Sequence, residues 1–493
     1  MTSPVQIKFG TDGWRAIIAR EFTFVNVERV AQAFADYLAG TFQQAGLKQT
    51  AAVAQETGPS TISSSKRHSQ PFVVIGYDRR FLSEKFALRS AEVISGNGFK
   101  LALFTEAQPT PLISWAVKDL GATGGIMITA SHNPANFNGF KIKAPWGGSA
   151  SPEITTAVEK LVDQNPPKRK SISNDGHQLL EPCINSYRQQ ISKYIDLDKI
   201  RNAKGNVVVD PMHGSGGLWV QSFLQGGQLE VETIRDYRDP LFGGVNPEPI
   251  DQNLGPLKSR VVQTGALVGL ATDGDADRVG AVDEHGQTMT MHDVVPLMLL
   301  HLAKVRKMTG GIAMTVSQSV LTRRIADAMG LKLYETPIGF KYIAELMLSD
   351  DILLGAEESG GIGVKGHIPE RDGILNSLLF LESIVYAGKA PSLMLADLHK
   401  EFGEFRFGRR DLHMDVSKGQ DLVARLADQP PAEFARYKVT GVNTLDGTKL
   451  LFDDESWLLF RQSGTEPVLR VYSEATSVSK MKSLLSAGAE LAL

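Results

Sequence analysis

A single cysteine, Cys183, stands in a chain of 493 residues. One thiol cannot close an internal disulfide, so stability must come from buried cores, and the chain suits a reducing compartment. No motif surrounds Cys183, which points to a packed, inert thiol. Long apolar runs are missing too. The best candidate, residues 294–303, falls short of the roughly eighteen residues that span a bilayer and contains Pro296 and His301. The opening MTSPVQIKFGTDGW lacks a cationic start followed by an apolar stretch, so no secretory signal is expected. Charge of one sign is not in excess, because 52 Lys and Arg stand against 55 Asp and Glu, a formal net charge of −3. General nucleic-acid binding is thereby disfavoured. The expectation is a cytoplasmic chain with neither membrane nor nucleic acid as partner.

What is present is ordinary globular composition, 42% hydrophobic and 22% charged, with 47 glycines for tight turns and close backbone approaches. The length is about three domains' worth at roughly 150 residues each. Buried-strand runs alternate with helical patterns: 71–78, then a helix over 83–95, 100–106, a helix over 109–120, and 124–131. This rhythm predicts α/β domains with mixed, mostly parallel sheets, whose chemistry sits in loops after the carboxyl ends of strands. The same order recurs around VVVD (207–210) and ALVGLATD (266–273), and again from GGIAMTVS to ILLGAEESGG. Three related α/β domains are expected over residues 1–184, 185–287 and 288–397, followed by a smaller α+β domain over 398–493, arranged around a central cleft. Between a helix over about 26–45 and the first buried strand, the polar Ser/Thr-rich segment 49–70 is read as a surface loop, and its regulation by phosphorylation is an open question.

Four loops carry chemistry. T-A-S-H-N-P, residues 129–134, follows a strand but lacks the G-x-S-x-G of a nucleophile elbow. Neighbours on an extended chain point to opposite sides, so His132 is not expected to act as a triad base for Ser131. Ser131 instead reads as a carrier of a phosphoryl group on an exposed loop tip, with Lys141 a nearby cationic donor. In A-T-D-G-D-A-D-R, Asp273, Asp275 and Asp277 repel one another unless a cation sits among them, and all-oxygen ligands suit Mg²⁺ or Ca²⁺. Arg278 stands where an EF-hand needs glycine, and Asp277 departs from the D-x-D of haloacid-dehalogenase-like phosphatases. In G-A-E-E-S-G-G, Glu357 and Ser359 offer hydrogen bonds to vicinal sugar hydroxyls. In R-Q-S-G-T-E-P, Arg461, Ser463, Gly464 and Thr465 form an anion nest, with Arg470 a second cation. Arg15, in the opening GTDGWR, can neutralise a transferring phosphoryl group. T-P-I-G-F-K (336–341) and G-H-I-P-E-R-D-G (366–373) fit the same cleft.

These loops, in this order and together with FGTDGWR, resemble the α-D-phosphohexomutase superfamily over essentially the whole chain. Within it, ETPIGFK and GHIPERDG are similar to the phosphoglucomutase branch. The resemblance implies interconversion of glucose 1-phosphate and glucose 6-phosphate through a phosphoserine at Ser131 and a glucose 1,6-bisphosphate intermediate that also serves as activator. It implies one Mg²⁺ held by Asp273, Asp275, Asp277 and the Ser131 oxygen. Catalytic roles fall to Ser131, His132, Lys141 and Arg15, with Lys141 as general acid/base, a role that calls for a depressed pKa. Substrate contacts fall to Arg278, Lys341, Glu357, Ser359, His367, Arg371, Arg461, Ser463, Gly464, Thr465 and Arg470. Many bifunctional relatives carry histidine where Gly361 stands, so the proton carrier is missing or supplied by His367. The alternatives are a mannose or bifunctional hexose mutase, a glucosamine phosphate mutase, or a metal-dependent sugar phosphatase. Partners are hexose phosphates, and the chain is expected to be a monomer or weak homodimer.

Overall fold

The computed structural model describes residues 5–10, 12–52, 70–172, 176–464 and 467–493, with the backbone alone for 43–52. Four sheets follow one another along the chain. The first contains β1 (Trp14–Ile17), β2 (Phe72–Tyr77), β3 (Lys100–Leu103), β4 (Gly124–Ile128) and β5 (Phe137–Lys143), in the order β1-β5-β4-β2-β3. The second contains β6 (Asn206–Asp210), β7 (Glu230–Thr233), β8 (Val268–Thr272), β9 (Val279–Val282) and β10 (Thr288–Met289), ordered β10-β9-β8-β6-β7. The third contains β11 (Gly311–Thr315), β12 (Leu333–Thr336), β13 (Ile352–Ala356) and β14 (Ile362–Val364), ordered β12-β11-β13-β14.

The three sheets share one plan. A central strand pairs in parallel on both sides, β2 with β3 and β4, β6 with β7 and β8, β11 with β12 and β13. The chain then turns back antiparallel, β4 to β5, β8 to β9, β13 to β14. Each return loop carries one of the motifs: Ser131 after β4, the three aspartates after β8, Glu357 and Ser359 after β13. The inner strands FVVIGY, VGLAT and ILLGA are buried at every residue, because helices cover both faces, and this is why they read as unbroken apolar runs.

The fourth sheet is antiparallel: β15 (Arg406–His413), β16 (Glu433–Phe434), β17 (Tyr437–Asn443), β18 (Thr448–Phe452), β19 (Trp457–Gln462) and β20 (Val468–Ala475), ordered β15-β20-β19-β18-β17-β16. Its core joins Leu450, Phe460 and Val471 to Leu422 and Leu426 of the helix Val416–Asp428 and to Leu484 of the helix Val478–Ala492. The described start of the anion-nest motif, residues 461–464, lies at the end of β19.

One local reading needs correction, and a second gains detail. The first long helix runs Phe24–Ala52, beyond the expected end and into the polar segment, of which residues 53–69 lie outside the described residues. The apolar run 294–303 is the helix Met291–Leu300, with Pro296 inside it, followed by a π turn over His301–Val305. Among the described residues no single helix is long and apolar enough to cross a membrane, and Gly373–Ala387, half of the one bent pair that passes by composition, is mostly buried core. Cys183 is buried and unbridged, as its lack of a motif suggested.

Candidate active site

Arg80 builds the serine loop. Its fully buried guanidinium donates to four loop carbonyls: Ser131 at 2.6 Å, Asn133 at 2.6 Å, Pro134 at 2.8 Å and Phe137 at 3.1 Å. Asp78, at the end of β2, holds Arg80 at 3.3 Å and accepts from Thr129 Oγ1 at 2.6 Å. Thr129 Oγ1 in turn accepts from the Ser131 N–H at 2.9 Å. Ser131 is thereby fixed in the left-handed region, φ 51°.

That turn revises two expectations. The loop is not extended at Ser131, so His132 does not point away: its Nδ1 lies 3.3 Å from Ser131 Oγ. Ser131 is not an exposed tip either, being 1% exposed beneath the aspartate loop. Its Oγ donates to Asp273 Oδ2 at 2.8 Å. The two loops touch so closely that a Cβ on Gly274 would lie 2.5 Å from the Ser131 carbonyl oxygen. Burial, together with Arg278 and Arg15, holds the His132 imidazole well below its ordinary pKa, so it is neutral.

The aspartate loop is organised for a cation. Asp273 Oδ1 accepts from the N–H groups of Asp277 at 3.0 Å and Arg278 at 3.1 Å. Ligand oxygens of Asp273, Asp275 and Asp277 lie within 4.8 Å of one another, all buried. Asp275 Oδ1 and Asp277 Oδ1 are buried without a hydrogen-bond partner. Burial and the two neighbouring carboxylates push Asp273 well above the usual range. Buried like charges with orphaned oxygens are an unfavourable arrangement that a divalent cation resolves, and an all-oxygen set next to a serine hydroxyl suits Mg²⁺.

Lys141, on β5, faces this cluster. Its Nζ lies 2.8 Å from Asp12, 2.9 Å from Asp275 and 3.2 Å from Asp277. Burial opposes the ammonium, but the three carboxylates outweigh it and raise the pKa. This is opposite to the depressed value expected for a general base, and its cause is the three carboxylates that Nζ faces. Arg371 joins it, 2.6 Å from Asp12 and 2.9 Å from Asp277. Arg15 donates to Asn133 Oδ1 at 2.8 Å, on the edge of the serine loop. Arg278 lies 3.7 Å from Glu248, and its backbone bridges to Gly361, joining the aspartate loop to the sugar loop.

In that sugar loop, Glu357 Oε2 and Ser359 Oγ are buried without a hydrogen-bond partner, and Glu357 Oε2 lies 3.8 Å from the Arg371 guanidinium. Burial pushes the Glu357 carboxyl up to about 7, against the pull of Arg371. A Cβ at Gly361 would lie 2.5 Å from Arg371 Cδ and 2.8 Å from Glu357 Oε2. The space a side chain at Gly361 would need is thus filled by Arg371. His367 is placed elsewhere: its Nε2 is 2.9 Å from Asp372, its ring stacks on Trp115, and no described contact joins it to Ser131, the aspartates or Glu357. Lys341 lines a small hollow with Asp12 and Gly13.

In the C-terminal sheet, Arg461 is held through Nε by Asp446 at 2.9 Å, Ser463 is buried and Gly464 has open space about it. Arg470, opposite Arg461 across the β19–β20 pair, is among the charges that depress His132, which puts this sheet within electrostatic reach of the serine. Thr465 lies outside the described residues.

Several residues escaped the sequence reading. Thr110 Oγ1 donates to Asp275 Oδ2 at 2.7 Å. Asp12, inside the quoted GTDGWR, is the anion shared by Lys141 and Arg371. Lys143, two positions from Lys141 on the same face of β5, pairs with Glu370 at 2.7 Å.

Models of the phosphoglucomutase/phosphomannomutase family match in four pieces: alpha/beta/alpha domain I over 39–169, domain II over 185–286, domain III over 292–402, and the C-terminal domain over 421–491. A phosphoglucomutase/phosphomannomutase of Thermococcus kodakarensis is 32% identical over 87% of this chain and 92% of its own. A protein of Methanothermobacter thermautotrophicus provisionally named a phosphoglucosamine mutase is 30% identical over 83% and 87%. A solved structure from Thermus thermophilus, provisionally named a phosphomannomutase, is 33% identical and superimposes with a TM-score of 0.82 over 99% of both chains. Four matched domains, a serine against a buried carboxylate triad and a full-length structural match make this chain a member of the phosphoglucomutase/phosphomannomutase family of α-D-phosphohexomutases, enzymes that move a phosphoryl group within a sugar phosphate.

Proposed function

We propose that the chain interconverts glucose 1-phosphate and glucose 6-phosphate through a phosphorylated Ser131 and a glucose 1,6-bisphosphate intermediate. The observation that carries the reading is the Ser131 hydroxyl 2.8 Å from Asp273, in a buried triad with two unpartnered carboxylate oxygens. Glucose is chosen on the ETPIGFK and GHIPERDG motifs. The Thermococcus relative is named for both sugars, which supports a second reading in which mannose phosphates are also accepted. The units are taken as 1–184, 185–287, 288–397 and 398–493, each contributing one loop, although β10 (288–289) pairs with β9 and completes the second sheet beyond its unit's expected end.

Asp273, Asp275, Asp277 and the serine oxygen would hold Mg²⁺, which supplies positive charge to the transferring phosphoryl group. Arg461, with Ser463, Gly464 and Thr465, grips the phosphate already on the sugar. Glu357 and Ser359 accept and donate to ring hydroxyls, and a carboxyl near 7 can do either. The free sugar hydroxyl attacks phosphorus, the Ser131 O–P bond breaks, and the hydroxyl proton ends on the serine oxygen. His132 Nδ1 is within reach of that oxygen, while Lys141 and Arg15 keep positive charge beside the transferring group. The bisphosphate then turns over and returns its other phosphoryl group to Ser131, which is why one clamp must accept both orientations.

Three results are expected. Chelation removes turnover by roughly 10²–10³-fold, as the loss of several kcal/mol of charge stabilisation implies. Independently of activity, Mg²⁺ at about 100 times its Kd stabilises the fold by about 2.7 kcal/mol, visible as a raised thermal midpoint, and no shift would contradict the cation site. Glu357→Gln changes the ratio of glucose to mannose phosphate rates by about 10-fold, the worth of a hydrogen bond to a charged group, with a smaller effect on phosphate affinity. An unchanged ratio in steady-state assays on both sugars, with bisphosphate supplied, removes Glu357 from sugar recognition.

A further inference from the structure

The turn joining β17 to β18 takes no part in the mechanism above, yet it touches the phosphate-gripping arginine and the third sheet at once. One oxygen, Asp446 Oδ2, accepts from Arg461 Nε at 2.9 Å and from the Ile338 N–H at 2.9 Å. Ile338 lies in the short turn between β12 and the helix Phe340–Ser349, whose first turn carries Lys341. The turn itself is braced. Asn443 Oδ1 accepts from the Leu445 N–H at 2.9 Å, and its Nδ2 donates to Glu335 Oε2 at 2.8 Å, on β12. Nearby, Lys449 Nζ donates to the Val316 carbonyl at 2.6 Å, and Glu474 accepts from Ser319 Oγ at 2.6 Å and the Val320 N–H at 2.8 Å. The C-terminal sheet is thus fastened to the loops after β11 and β12, and Arg461 is part of the fastening.

A guanidinium held by a carboxylate through Nε keeps its plane fixed and its outer nitrogens free to face an anion. The same carboxylate oxygen fixes the turn just before the helix that carries Lys341. We propose that Asp446 is a positioning residue that presents the Arg461 guanidinium to the sugar phosphate and ties that clamp to the segment 336–341, which includes Lys341. The inference rests on Arg461 being the phosphate clamp. It adds that binding of the distal phosphate is sensed at segment 336–341 through a single shared acceptor.

The test uses Asp446→Ala, Asp446→Asn and Arg461→Ala in the full chain. Each is measured for KM and kcat on glucose 1-phosphate, for thermal midpoint, and for amide hydrogen exchange across 336–341. Asp446→Ala raises KM about 10-fold, the scale of a charge-assisted hydrogen bond, with a smaller change in kcat and faster exchange across 336–341. Asp446→Asn keeps an accepting oxygen and restores most of the KM. If Arg461→Ala raises KM and Asp446→Ala does not, the coupling is overturned and the clamp stands. If neither raises KM, clamp and coupling fall together. A KM that rises only in step with a lowered thermal midpoint, equally in both Asp446 variants, marks a merely structural role and also overturns the proposal.

Discussion

Ser131→Ala is expected to bind sugar phosphate with near-normal affinity and to lose turnover by about 10³-fold or more. The variant keeps Arg461, Glu357 and the aspartate triad, so the contacts that hold the sugar survive. It removes the hydroxyl that lies 2.8 Å from Asp273 and would store the phosphoryl group. A nucleophile that splits one step into two has no partial substitute, and its loss costs roughly 4 kcal/mol or more of transition-state stabilisation. Binding measured by calorimetry, next to turnover with bisphosphate supplied, separates the two effects. Retained turnover would move the phosphoryl carrier elsewhere.

Arg80→Met has the second large effect, and its cause is structural first. Arg80 and Asp78 are both fully buried, so removing the guanidinium leaves an unpaired carboxylate and takes the donors from four loop carbonyls. Breaking a buried pair from one side costs about 3–5 kcal/mol. Because those carbonyls belong to the serine loop, kcat falls as well. Arg80→Lys recovers little, since one ammonium cannot reproduce a planar fork that serves four acceptors. Thermal unfolding and kcat, measured on both variants, check this. A Met variant that melts and turns over like the parent would contradict the clamp.

The chemistry-bearing loops were legible in the sequence because each is contiguous and follows an unmistakable buried strand. The three aspartates and the serine needed only local spacing and a strand end. What eluded the sequence depends on tertiary context. Asp12 meets Lys141 and Arg371 only after β1 pairs with β5 and the third sheet docks, so its partners lie far along the chain. Lys141 carried the right residue type, but the sign of its pKa shift is set by carboxylates from two other loops. The geometry of Ser131 and His132 turned on one left-handed residue, held there by a buried arginine. His367 misled because its motif neighbours Arg371, whereas its ring packs against Trp115 from the first domain. Gly361 was read as a missing histidine, and only packing reveals that Arg371 fills the space.

If the Ser131 oxygen stores a transferable phosphoryl group, that group is detectable by mass. Intact-mass and peptide analysis of freshly purified protein, before and after incubation with glucose 1-phosphate and Mg²⁺, is the decisive measurement. One phosphate on Ser131 is expected, lost as glucose 1,6-bisphosphate forms in matching amount. Active protein with no phosphate on Ser131 at any stage, and none gained from added bisphosphate, would contradict storage there.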